Sequence, residues 1–473
     1  MNLNEVIVPE KCIFFHLQVH KQGCIFISSV RNTLPSEILT VFHINKSYIR
    51  TEVHLMADIK EKVVLAYSGG LDTTAIIPWL KETYGYDVIA CCVNVGQESE
   101  LTNLDERAAA SGASKLYELD CVDEFADEYI APCIQAHAVY EDKYLLGTSM
   151  ARPLIAKKLV EVARKENAVA ICHGATGKGN DQLRFELGIK ALAPDIKIIA
   201  PWRDPKWTMQ SREDEINYIR QHGISLPFSS EDNAYSRDRN LWHISHEGLE
   251  LENPANEPDY DHLLVLTTPP QKAPDKETKI SIDFEHGVPV ALNGKKMKLS
   301  DIIRALNKLG GENGIGIIDI VENRVVGMKS RGVYETPGGT ILYEAHQQLE
   351  ELILDRKTYE EKKRLSSDFA GLVYEGKWFS PLREADQAFF EKVNEYETGT
   401  VNLILYKGNI IKAGTTAVYS MYNESLASFT TGDLYDHTDA SGFITLFGLP
   451  EKVRAMKMME VKAKEKCSPA KEK

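Results

Sequence analysis

The chain has 473 residues, with 43% hydrophobic and 26% charged residues, and a formal net charge of -14 at pH 7. Its length exceeds what one ordinary hydrophobic core requires, so we expect a soluble globular protein of two domains plus additional segments. The acidic balance argues against general nucleic-acid binding, and no stretch of about 18 uninterrupted apolar residues predicts a membrane span.

The first 55 residues fit poorly with the sequence that follows. They contain the isolated apolar clusters CIFF and CIFIS, but no basic region leads into a continuous apolar core, so no secretory signal is predicted. Met56 opens MADIKEK, which runs directly into the first clear strand. We therefore expect Met56 to be the working start, or residues 1–55 to form an unpacked extension.

The segment KVVLAYSGGLDTT, Lys62 to Thr74, organises the rest of the chain. Its apolar run Val63 to Ala66 is typical of a strand buried on both faces, and an apolar, helix-compatible segment continues from Thr73 to Tyr84. A glycine turn between a strand and a helix N-terminus predicts an anion site, whose natural occupant is a phosphate. Four polar side chains could contact phosphate, hold a metal or simply cap the helix: Ser68, Asp72, Thr73 and Thr74.

This loop differs from the commoner nucleotide loops. It has neither the Walker order G-x-x-x-x-G-K-[ST] nor G-x-G-x-x-G. The order SGG-x-D instead resembles the loop of enzymes that split ATP to AMP and pyrophosphate. A tight turn capped by Ser or Asp is the structural alternative.

Strands and helices alternate from Lys62 to about Pro227. Further strands are predicted at Asp87–Gln97, Lys115–Leu119, Ala168–His173 and in KIIAPW, with helical segments between them. Cys91 and Cys92 lie inside the second strand, which favours buried free thiols, a reducing compartment and a cytoplasmic protein. The alternation predicts an α/β fold with an open, doubly wound parallel sheet whose ligands bind at the carboxyl ends of its strands.

Two further segments of this half carry concentrated polar chemistry. HGATGKGNDQLRFE, His173 to Glu186, combines three glycines with Thr176, Lys178, Asn180, Asp181 and Arg184. YEDKYLLGTSMARP, Tyr140 to Pro153, places Tyr144 and Ser149 around Gly147 just before a helix. The structural alternatives are a plain surface loop for the first, and a half-buried aromatic with a helix cap for the second.

After Pro227 the pattern changes to that of an antiparallel α+β domain. ISIDFEHGVPVALNGKKMKL alternates apolar and polar residues, as an antiparallel sheet with one solvent-exposed face does. GIGIIDIVENRVVGMKSRGVYETPGG concentrates polar residues beside glycines, with the edge of a solvated hairpin as the structural alternative. We predict helices near Leu299–Leu309 and Thr340–Arg356, and strands at Thr400–Ile411 and Ala417–Tyr419. The last segment has one narrow apolar stripe, which predicts either docking on another subunit or a solvated tail: Leu449, Val453, Met456, Met459 and Ala463.

Six ordered motifs resemble the argininosuccinate synthase family from Met56 to about Phe447. They are AYSGGLDTT, YLLGTSMARP, HGATGKGNDQLRFE, IAPWRD, NLWHIS and IDIVENRVVGMKSRGVYETPGGTILY. The resemblance implies a ligase of arginine biosynthesis and the urea cycle that joins citrulline and aspartate, through a citrullyl-adenylate, to give argininosuccinate, AMP and pyrophosphate from ATP with Mg²⁺. It also implies a cytoplasmic homotetramer without nucleic-acid or membrane partners.

The same resemblance implies a domain organisation. Residues 1–55 would be an extension of doubtful structure, residues 56–227 the ATP-binding domain, and residues 228–447 the synthetase and multimerisation domain. Residues 448–473 would be the C-terminal helix and tail.

The family's site residues transfer onto matching positions. ATP would contact Ala66, Tyr67, Ser68, Gly69, Gly70, Leu71, Asp72, Thr73, Thr74, Val93 and Gly174. Citrulline would contact Tyr144, Ser149, Asn180, Arg184, Ser236, Ser245, Glu322 and Tyr334. Aspartate would contact Thr176, Asn180 and Asp181, and the catalytic residues would be Asp72 and Asp181. Thr74 stands where the family usually has Ser, and Val93 stands where a smaller Ala can occur. The metal ligands and the general base are not assigned.

Two other functions share this kind of loop. A tRNA-thiolating enzyme would need nucleophilic cysteines and a basic face, and the acidic sequence without C-x-x-C motifs offers neither. A non-catalytic nucleotide-binding protein would have no reason to keep Asn180, Arg184, Ser245, Glu322 and Tyr334 together.

Overall fold

The computed structural model describes the backbone of residues 15–19 and 25–29, and residues 60–177, 179–224, 235–428, 434 and 436–467. The chain divides into two compact units, residues 1–59 and residues 60–473. In the first unit, strand β1 (Phe15–Val19) pairs antiparallel with β2 (Ile25–Ser29). The predicted start at Met56 lies outside the described residues.

A five-stranded parallel sheet forms the centre of the nucleotide half. Its strands are β3 (Lys62–Ala66), β4 (Asp87–Asn94), β5 (Lys115–Asp120), β6 (Ala170–Cys172) and β7 (Lys197–Ile199). Their order across the sheet is β5-β4-β3-β6-β7. From β3 the chain adds β4 and β5 on one side and then β6 and β7 on the other, so the winding reverses between β3 and β6. This order confirms the predicted doubly wound fold, and ligand sites of such sheets lie at that reversal.

Helices cover both faces of this sheet. They are α1 (Leu71–Tyr84), α2 (Leu104–Ala110), α3 (Val122–Phe125), α4 (Ala131–Ala136), α5 (Gly147–Glu166), α6 (Asp181–Leu192) and α7 (Arg212–Gln221). Cys91 packs into the core on one face and Cys92 into the core on the other, because side chains alternate along a strand. Both cysteines are free and buried, as predicted.

Antiparallel sheets form the second half. Its strands are β8 (Ser236–Arg239), β9 (Ile244–Glu247), β10 (Thr278–Glu285), β11 (Val288–Leu292), β12 (Lys295–Lys296), β13 (Ile317–Asn323), β14 (Lys329–Glu335), β15 (Gly399–Tyr406) and β16 (Asn409–Ala417). One sheet has the order β13-β14-β9-β8 and the other β12-β11-β10-β15-β16. The segment for which a hairpin was the structural alternative does form the hairpin β13–β14, and the alternating segment before it is confirmed as strands.

The helices of this half surround the two sheets. They are α8 (Tyr260–Leu263), α9 (Leu299–Glu312), α10 (Pro337–Ile353), α11 (Arg356–Tyr374), α12 (Pro381–Asn394), α13 (Glu424–Ala427), α14 (Asp439–Phe447) and α15 (Leu449–Cys467). Among the described residues, no helix combines the length and the apolar character needed to cross a bilayer.

Three sequence predictions in this half were wrong or incomplete. The segment predicted as one strand at Thr400–Ile411 turns back at Lys407 and Gly408, whose φ angles are 44° and 80°. The strand predicted at Ala417–Tyr419 is wrong, because Ala417 is the last residue of β16. The helix predicted to reach Arg356 ends at Ile353, because Asp355 caps a new helix through the backbone N–H groups of Lys357 and Thr358. Helices α11 and α12 were not predicted.

The segment before β9 joins the antiparallel half to the parallel sheet. Leu241 N–H donates to the carbonyl of Val95, which follows β4, at 2.8 Å. Trp242 Nε1 donates to the carbonyl of Leu145 at 2.9 Å, and Asn240 Nδ2 donates to that of Gly147 at 3.0 Å. These bonds bring the sheet β13-β14-β9-β8 next to the loops that carry the predicted site.

Candidate active site

The first glycine loop connects β3 to α1. Tyr67 N–H continues the sheet by donating to the carbonyl of Cys91 at 2.9 Å, and Gly70 occupies the N-cap position of α1. Ser68 Oγ accepts the Gly70 N–H at 3.3 Å and lies 3.2 Å from Thr73 Oγ1. Since Gly70 has no side chain with which to cap the helix, the first turn of α1 faces the loop with its backbone N–H groups, as an anion site requires.

Arg107 of α2 fixes the conformation of this loop. Its Nη1 donates to the carbonyl of Gly69 at 3.0 Å. Gly69 has φ +75°, and a Cβ there would lie 2.6 Å from Leu104 Cδ1 and 2.9 Å from Arg107 Nη1. A glycine is therefore required at this position for both its backbone angle and its close approach. Sequence reasoning missed Arg107, because nothing in the local sequence links it to the loop.

The second glycine loop connects β6 to α6 and meets the first. A Cβ on Gly174 would lie 3.3 Å from Thr73 Cγ2 and 3.2 Å from Ile76 Cδ1, so this loop packs against the first turns of α1. Gln182 Nε2 holds the loop from α6 by donating to the carbonyls of Gly177 at 2.7 Å and Gly179 at 3.1 Å. The two loops therefore leave adjacent strands at the reversal point of the sheet. Lys178 lies outside the described residues.

Asp181, the first residue of α6, is held by two arginine side chains. Arg152 Nε donates to its Oδ2 at 2.8 Å and Arg184 Nη1 to its Oδ1 at 2.9 Å. Arg152 Nη2 also donates to Oδ2 of Asp238 in β8 at 2.6 Å. Burial opposes ionisation of Asp181, but the two guanidinium groups hold the pKa of its carboxyl below the ordinary value. Asp181 is therefore a fixed anion, suited to orienting an ammonium group and poorly suited to accepting a proton.

The residues on either side of Asp181 also reach the antiparallel half. Asn180 is buried, and its Oδ1 accepts the backbone N–H of Val325, in the β13–β14 turn, at 3.0 Å. Arg184 Nε donates to the carbonyl of Tyr374 at 2.9 Å. Thr176 is exposed at the outer end of the second loop. The second loop and α6 thus form the boundary between the two halves.

Aromatic side chains form another part of the site. The rings of Tyr144 and Tyr334 lie 4.6 Å apart, and the Tyr334 hydroxyl donates to Oε1 of Glu322 at 3.1 Å. His243 stacks on Tyr334 with ring centroids 5.8 Å apart. Burial, reinforced by the charge of Arg152, lowers the pKa of His243 to about 3, so its imidazole is neutral. Burial also raises the pKa of Glu322, which Arg184 partly offsets.

The remaining predicted residues have different exposures. Ser149 is fully buried in the first turn of α5, and Ser245 is buried in β9 directly opposite Tyr334. Ser236 is exposed at the start of β8, two residues before Asp238 and therefore on the same face of that strand. Val93 is buried near the end of β4, where its carbonyl accepts Gln97 Nε2 at 2.9 Å.

Glu215 of α7 is a further residue that sequence reasoning missed. It is 1% exposed, and its Oε1 has no hydrogen-bond partner among the described residues. Burial and the adjacent Asp72 carboxylate raise the pKa of Glu215 to about 9. The signal in the sequence was a third acidic residue in the run REDE, which was not distinguished from its exposed neighbours.

Comparison with known proteins identifies the family. A family model described as "Arginosuccinate synthase N-terminal HUP domain" matches residues 62–225, and one described as "Arginosuccinate synthase C-terminal domain" matches residues 235–454. Argininosuccinate synthase from Agathobacter rectalis is 73% identical over 406 residues, which cover 86% of this chain and 99% of that protein. The chain belongs to the argininosuccinate synthase family.

Other relatives of the argininosuccinate synthase family match equally well. The argininosuccinate synthase of Lachnospira eligens is 73% identical over 402 residues, or 85% of this chain and 98% of the relative. That of Lachnoclostridium phytofermentans is 73% identical over 404 residues, or 85% of this chain and 99% of the relative. The family membership predicted from six motifs is therefore confirmed along nearly the full length of these relatives.

Proposed function

We propose that this protein joins citrulline and aspartate, at the expense of ATP, to give argininosuccinate, AMP and pyrophosphate in arginine biosynthesis. One observation carries the proposal: the two glycine loops leave adjacent strands of the sheet and lie beside a cluster of arginine, carboxylate and tyrosine side chains. Membership of the argininosuccinate synthase family supports the same activity.

The reaction requires activation of a poor electrophile. A ureido oxygen is a poor leaving group, so an amine cannot displace it directly. We propose that the ureido oxygen attacks the α-phosphorus of ATP, pyrophosphate leaves, and the amino group of aspartate then attacks the citrullyl-adenylate carbon and expels AMP. Such a path depends mainly on alignment and on charge stabilisation at phosphate. The N-terminus of α1 and the backbone from Ala66 to Thr74, with Val93 and Gly174, would bind the nucleotide.

The charged and aromatic side chains would bind the two amino acids at separate positions. Glu322 suits the α-ammonium of citrulline and Arg184 its carboxylate, with hydroxyl contacts from Tyr144, Ser149, Ser236, Ser245 and Tyr334. Asp181, Thr176 and the shared Asn180 would hold aspartate. Because two arginines keep Asp181 ionised, its proposed catalytic role is to orient the attacking amine.

The residues at the first loop fit the Mg²⁺ that the family implies. Mg²⁺ is a hard cation that proteins bind through one or two carboxylates together with substrate phosphates. Asp72 lies in the first turn of α1, beside the proposed phosphate site, and would hold the ion. When bound, Mg²⁺ supplies positive charge that offsets the charge of the phosphate oxygens.

The larger organisation is also part of the proposal. We assign residues 56–227 to ATP binding, residues 228–447 to synthesis and multimerisation, and residues 448–473 to a C-terminal helix and tail. We propose a cytoplasmic homotetramer, which the exposed apolar side chains of α14 and α15 support.

The test measures AMP and pyrophosphate made from ATP with citrulline and aspartate, each omitted in turn. We expect AMP, pyrophosphate and argininosuccinate in equal amounts in the complete mixture. Release of ADP, or sustained turnover without citrulline, would overturn the proposal.

A further inference from the structure

The imidazole of His243 contacts both segments that carry the proposed citrulline tyrosines. His243 immediately precedes β9 and its side chain is fully buried. Its Nε2 lies 3.0 Å from Oγ1 of Thr148, in the first turn of α5. Its ring stacks on that of Tyr334 in β14, with an interplanar angle of 7° and centroids 5.8 Å apart. One side chain from the antiparallel half therefore touches the start of α5 and the strand opposite it.

The start of α5 leaves space for this imidazole. A Cβ on Gly147 would lie 2.4 Å from Cγ and from Cδ2 of His243, closer than two such atoms can approach. Gly147 is not among the glycines with a positive φ, so it is required for space and not for its backbone angle. Asn240 joins the same two segments, because its Nδ2 donates to the carbonyl of Gly147 at 3.0 Å and its Oδ1 accepts the N–H of His243 at 3.2 Å. The ring is thus held in one place.

The surroundings of the ring indicate which nitrogen carries its proton. Burial and the charge of Arg152 keep the imidazole neutral by lowering the pKa of His243 to about 3. Nδ1 is buried without a hydrogen-bond partner among the described residues, while Nε2 faces Thr148 Oγ1. Because buried N–H groups are rarely left unpaired, we assign the proton to Nε2. Nε2 then donates to the hydroxyl of Thr148.

Thr148 connects His243 to the first of the two tyrosines. The backbone N–H of Thr148 donates to the hydroxyl of Tyr144 at 3.2 Å. A hydroxyl that accepts one hydrogen bond keeps its own hydrogen for another acceptor. Tyr144 is therefore left as a donor, the role that a carboxylate or ureido oxygen of citrulline requires. The second tyrosine, Tyr334, already donates to Glu322 Oε1 at 3.1 Å.

We propose that His243 is a positioning residue for citrulline. It holds the first turn of α5 through Thr148 and the ring of Tyr334 by stacking, so both tyrosine hydroxyls are oriented before the substrate arrives. A site ordered in advance spends less of its binding energy on ordering side chains. The inference rests on the proposed function and extends it to a residue to which no substrate contact is assigned.

The first experiment measures initial rates while citrulline, aspartate and ATP are varied in turn. We expect His243→Leu to raise the KM for citrulline on the order of 10-fold and the other two KM values less than about twofold. His243→Gln, whose amide can donate near the position of Nε2, should recover part of the loss. His262→Gln, whose side chain is 79% exposed, is the control and should change no KM. Equal rises in all three KM values, or an unchanged KM for citrulline in folded His243→Leu protein, would overturn the proposal.

The second experiment uses a milder substitution at the partner of His243. Thr148→Val replaces the hydroxyl by a methyl group, and isothermal titration of citrulline is carried out with a nonhydrolysable ATP analogue present. We expect the Kd for citrulline to rise about fivefold. Adding Thr148→Val to Tyr144→Phe should have little further effect, because the hydroxyl through which Thr148 acts is then missing. The same increase in both backgrounds would contradict the proposed connection.

The outcomes separate this inference from the function on which it rests. Unsubstituted protein that binds no citrulline and makes no argininosuccinate would refute the proposed function, and the positioning role with it. Ligation by the unsubstituted protein, with an unchanged affinity for citrulline in the folded His243→Leu and Thr148→Val proteins, would refute the positioning role alone.

Discussion

Arg152 joins carboxylates from the two halves of the molecule at the proposed aspartate site. Its guanidinium group contacts Asp181 of α6 and Asp238 of β8, and its side chain is 13% exposed. Removal of the charge would leave two carboxylates facing each other. We expect Arg152→Met to lower the free energy of unfolding by about 3 kcal/mol and to raise the KM for aspartate more than the KM for ATP.

Denaturant unfolding and initial-rate kinetics check this expectation. Arg164→Met is the matched control, because Arg164 lies on the same helix but pairs with Asp195 at the surface, with side-chain exposures of 50% and 63%. It should change neither the stability nor the KM for aspartate appreciably. Equal effects of the two substitutions would remove the case for a role of Arg152 at the site.

Asp72 allows a prediction about the chemical step. Asp72→Ala removes a partly exposed side chain from the first turn of α1, so the fold should survive while pyrophosphate release falls by at least about 100-fold, as expected when charge stabilisation at phosphate is lost. Circular dichroism checks the fold and a coupled pyrophosphate assay checks the rate. Asp105→Ala, an exposed residue of α2, is the control. Undiminished pyrophosphate release in folded Asp72→Ala protein would contradict the prediction.

Two helices and the end of the loop before β15 are joined by four buried charged side chains. His346 Nε2 lies 2.9 Å from Glu397 Oε2, and Lys362 contacts Glu350 and lies 3.4 Å from Glu397 Oε1. The His–Glu–Glu set has the ligand types of a metal site. Lys362 already supplies a cation to both carboxylates, so the cluster is explained as a structural ion-pair network between α10, α11 and the loop before β15.

This network predicts how stability depends on pH. Although burial opposes its charge, Glu397 and Glu350 raise the pKa of His346 to about 9 from 6.5, so its stabilisation is complete below pH 6.5 and is lost as the pH rises toward 9. Despite burial, Lys362 and His346 lower the pKa of Glu350 to about 2 from 4.5, so its stabilisation is lost as the pH falls from 4.5 toward 2. We expect the network to stabilise most between about pH 4.5 and 6.5.

Thermal unfolding of His346→Gln against the unsubstituted protein measures this effect. The difference in Tm should be largest near pH 6 and should shrink as the pH rises to 9. His262→Gln, whose side chain is 79% exposed, is the control and should show no such trend. A Tm difference for His346→Gln that stays constant across this range would contradict the assignment.

The elements that the sequence predicted well are those whose burial follows from local pattern. Strands β3 and β4 are continuous apolar runs, and β10 and β11 alternate apolar and polar residues. The pattern of hydrophobic residues alone therefore predicts these strands. Helices α11 and α12 were missed because their inward faces include buried charged residues, among them Asp386 and Lys362. Lys362 pairs with Glu350 and Glu397, which lie elsewhere in the chain. The turn at Lys407 was missed because it adopts a positive φ at a non-glycine residue.

How well the sequence predicted the candidate site depended on the kind of residue. The glycine loops are contiguous in sequence, so their meeting followed from the rule that parallel strands bind ligands at their carboxyl ends. Arg107 and Arg152 act on residues far away in sequence, so only the fold brings each to its partner. The proposed citrulline and aspartate contacts came from the resemblance to a family, because local pattern alone did not assign them to a substrate.

The whole molecule presents a large apolar surface on its C-terminal arm, helices α14 and α15. Val453, Met456 and Met459 of α15 are 58%, 55% and 71% exposed, and Phe443 and Phe447 of α14 are 63% and 72% exposed. Monomeric proteins rarely leave contiguous apolar surface of this kind open. The stripe predicted from the sequence therefore has no cover among the described residues, which supports the proposed homotetramer.

Light scattering after size exclusion tests this proposal. We expect the unsubstituted protein to elute as a tetramer, and Val453→Glu combined with Met456→Glu to dissociate it by burying charge in the interface. Lys452→Glu, an exposed residue of the same helix, changes the net charge by the same amount and should leave the tetramer intact. A monomeric unsubstituted protein, or a tetramer indifferent to the double substitution, would contradict the proposed assembly through α15.

The most direct test of the proposed chemistry follows one oxygen atom. Citrulline labelled with ¹⁸O in its ureido group is converted with ATP and aspartate, and the AMP and pyrophosphate are analysed by mass spectrometry. Attack of the ureido oxygen on the α-phosphorus predicts one ¹⁸O in AMP and none in pyrophosphate. Unlabelled AMP, or label in pyrophosphate, would contradict it.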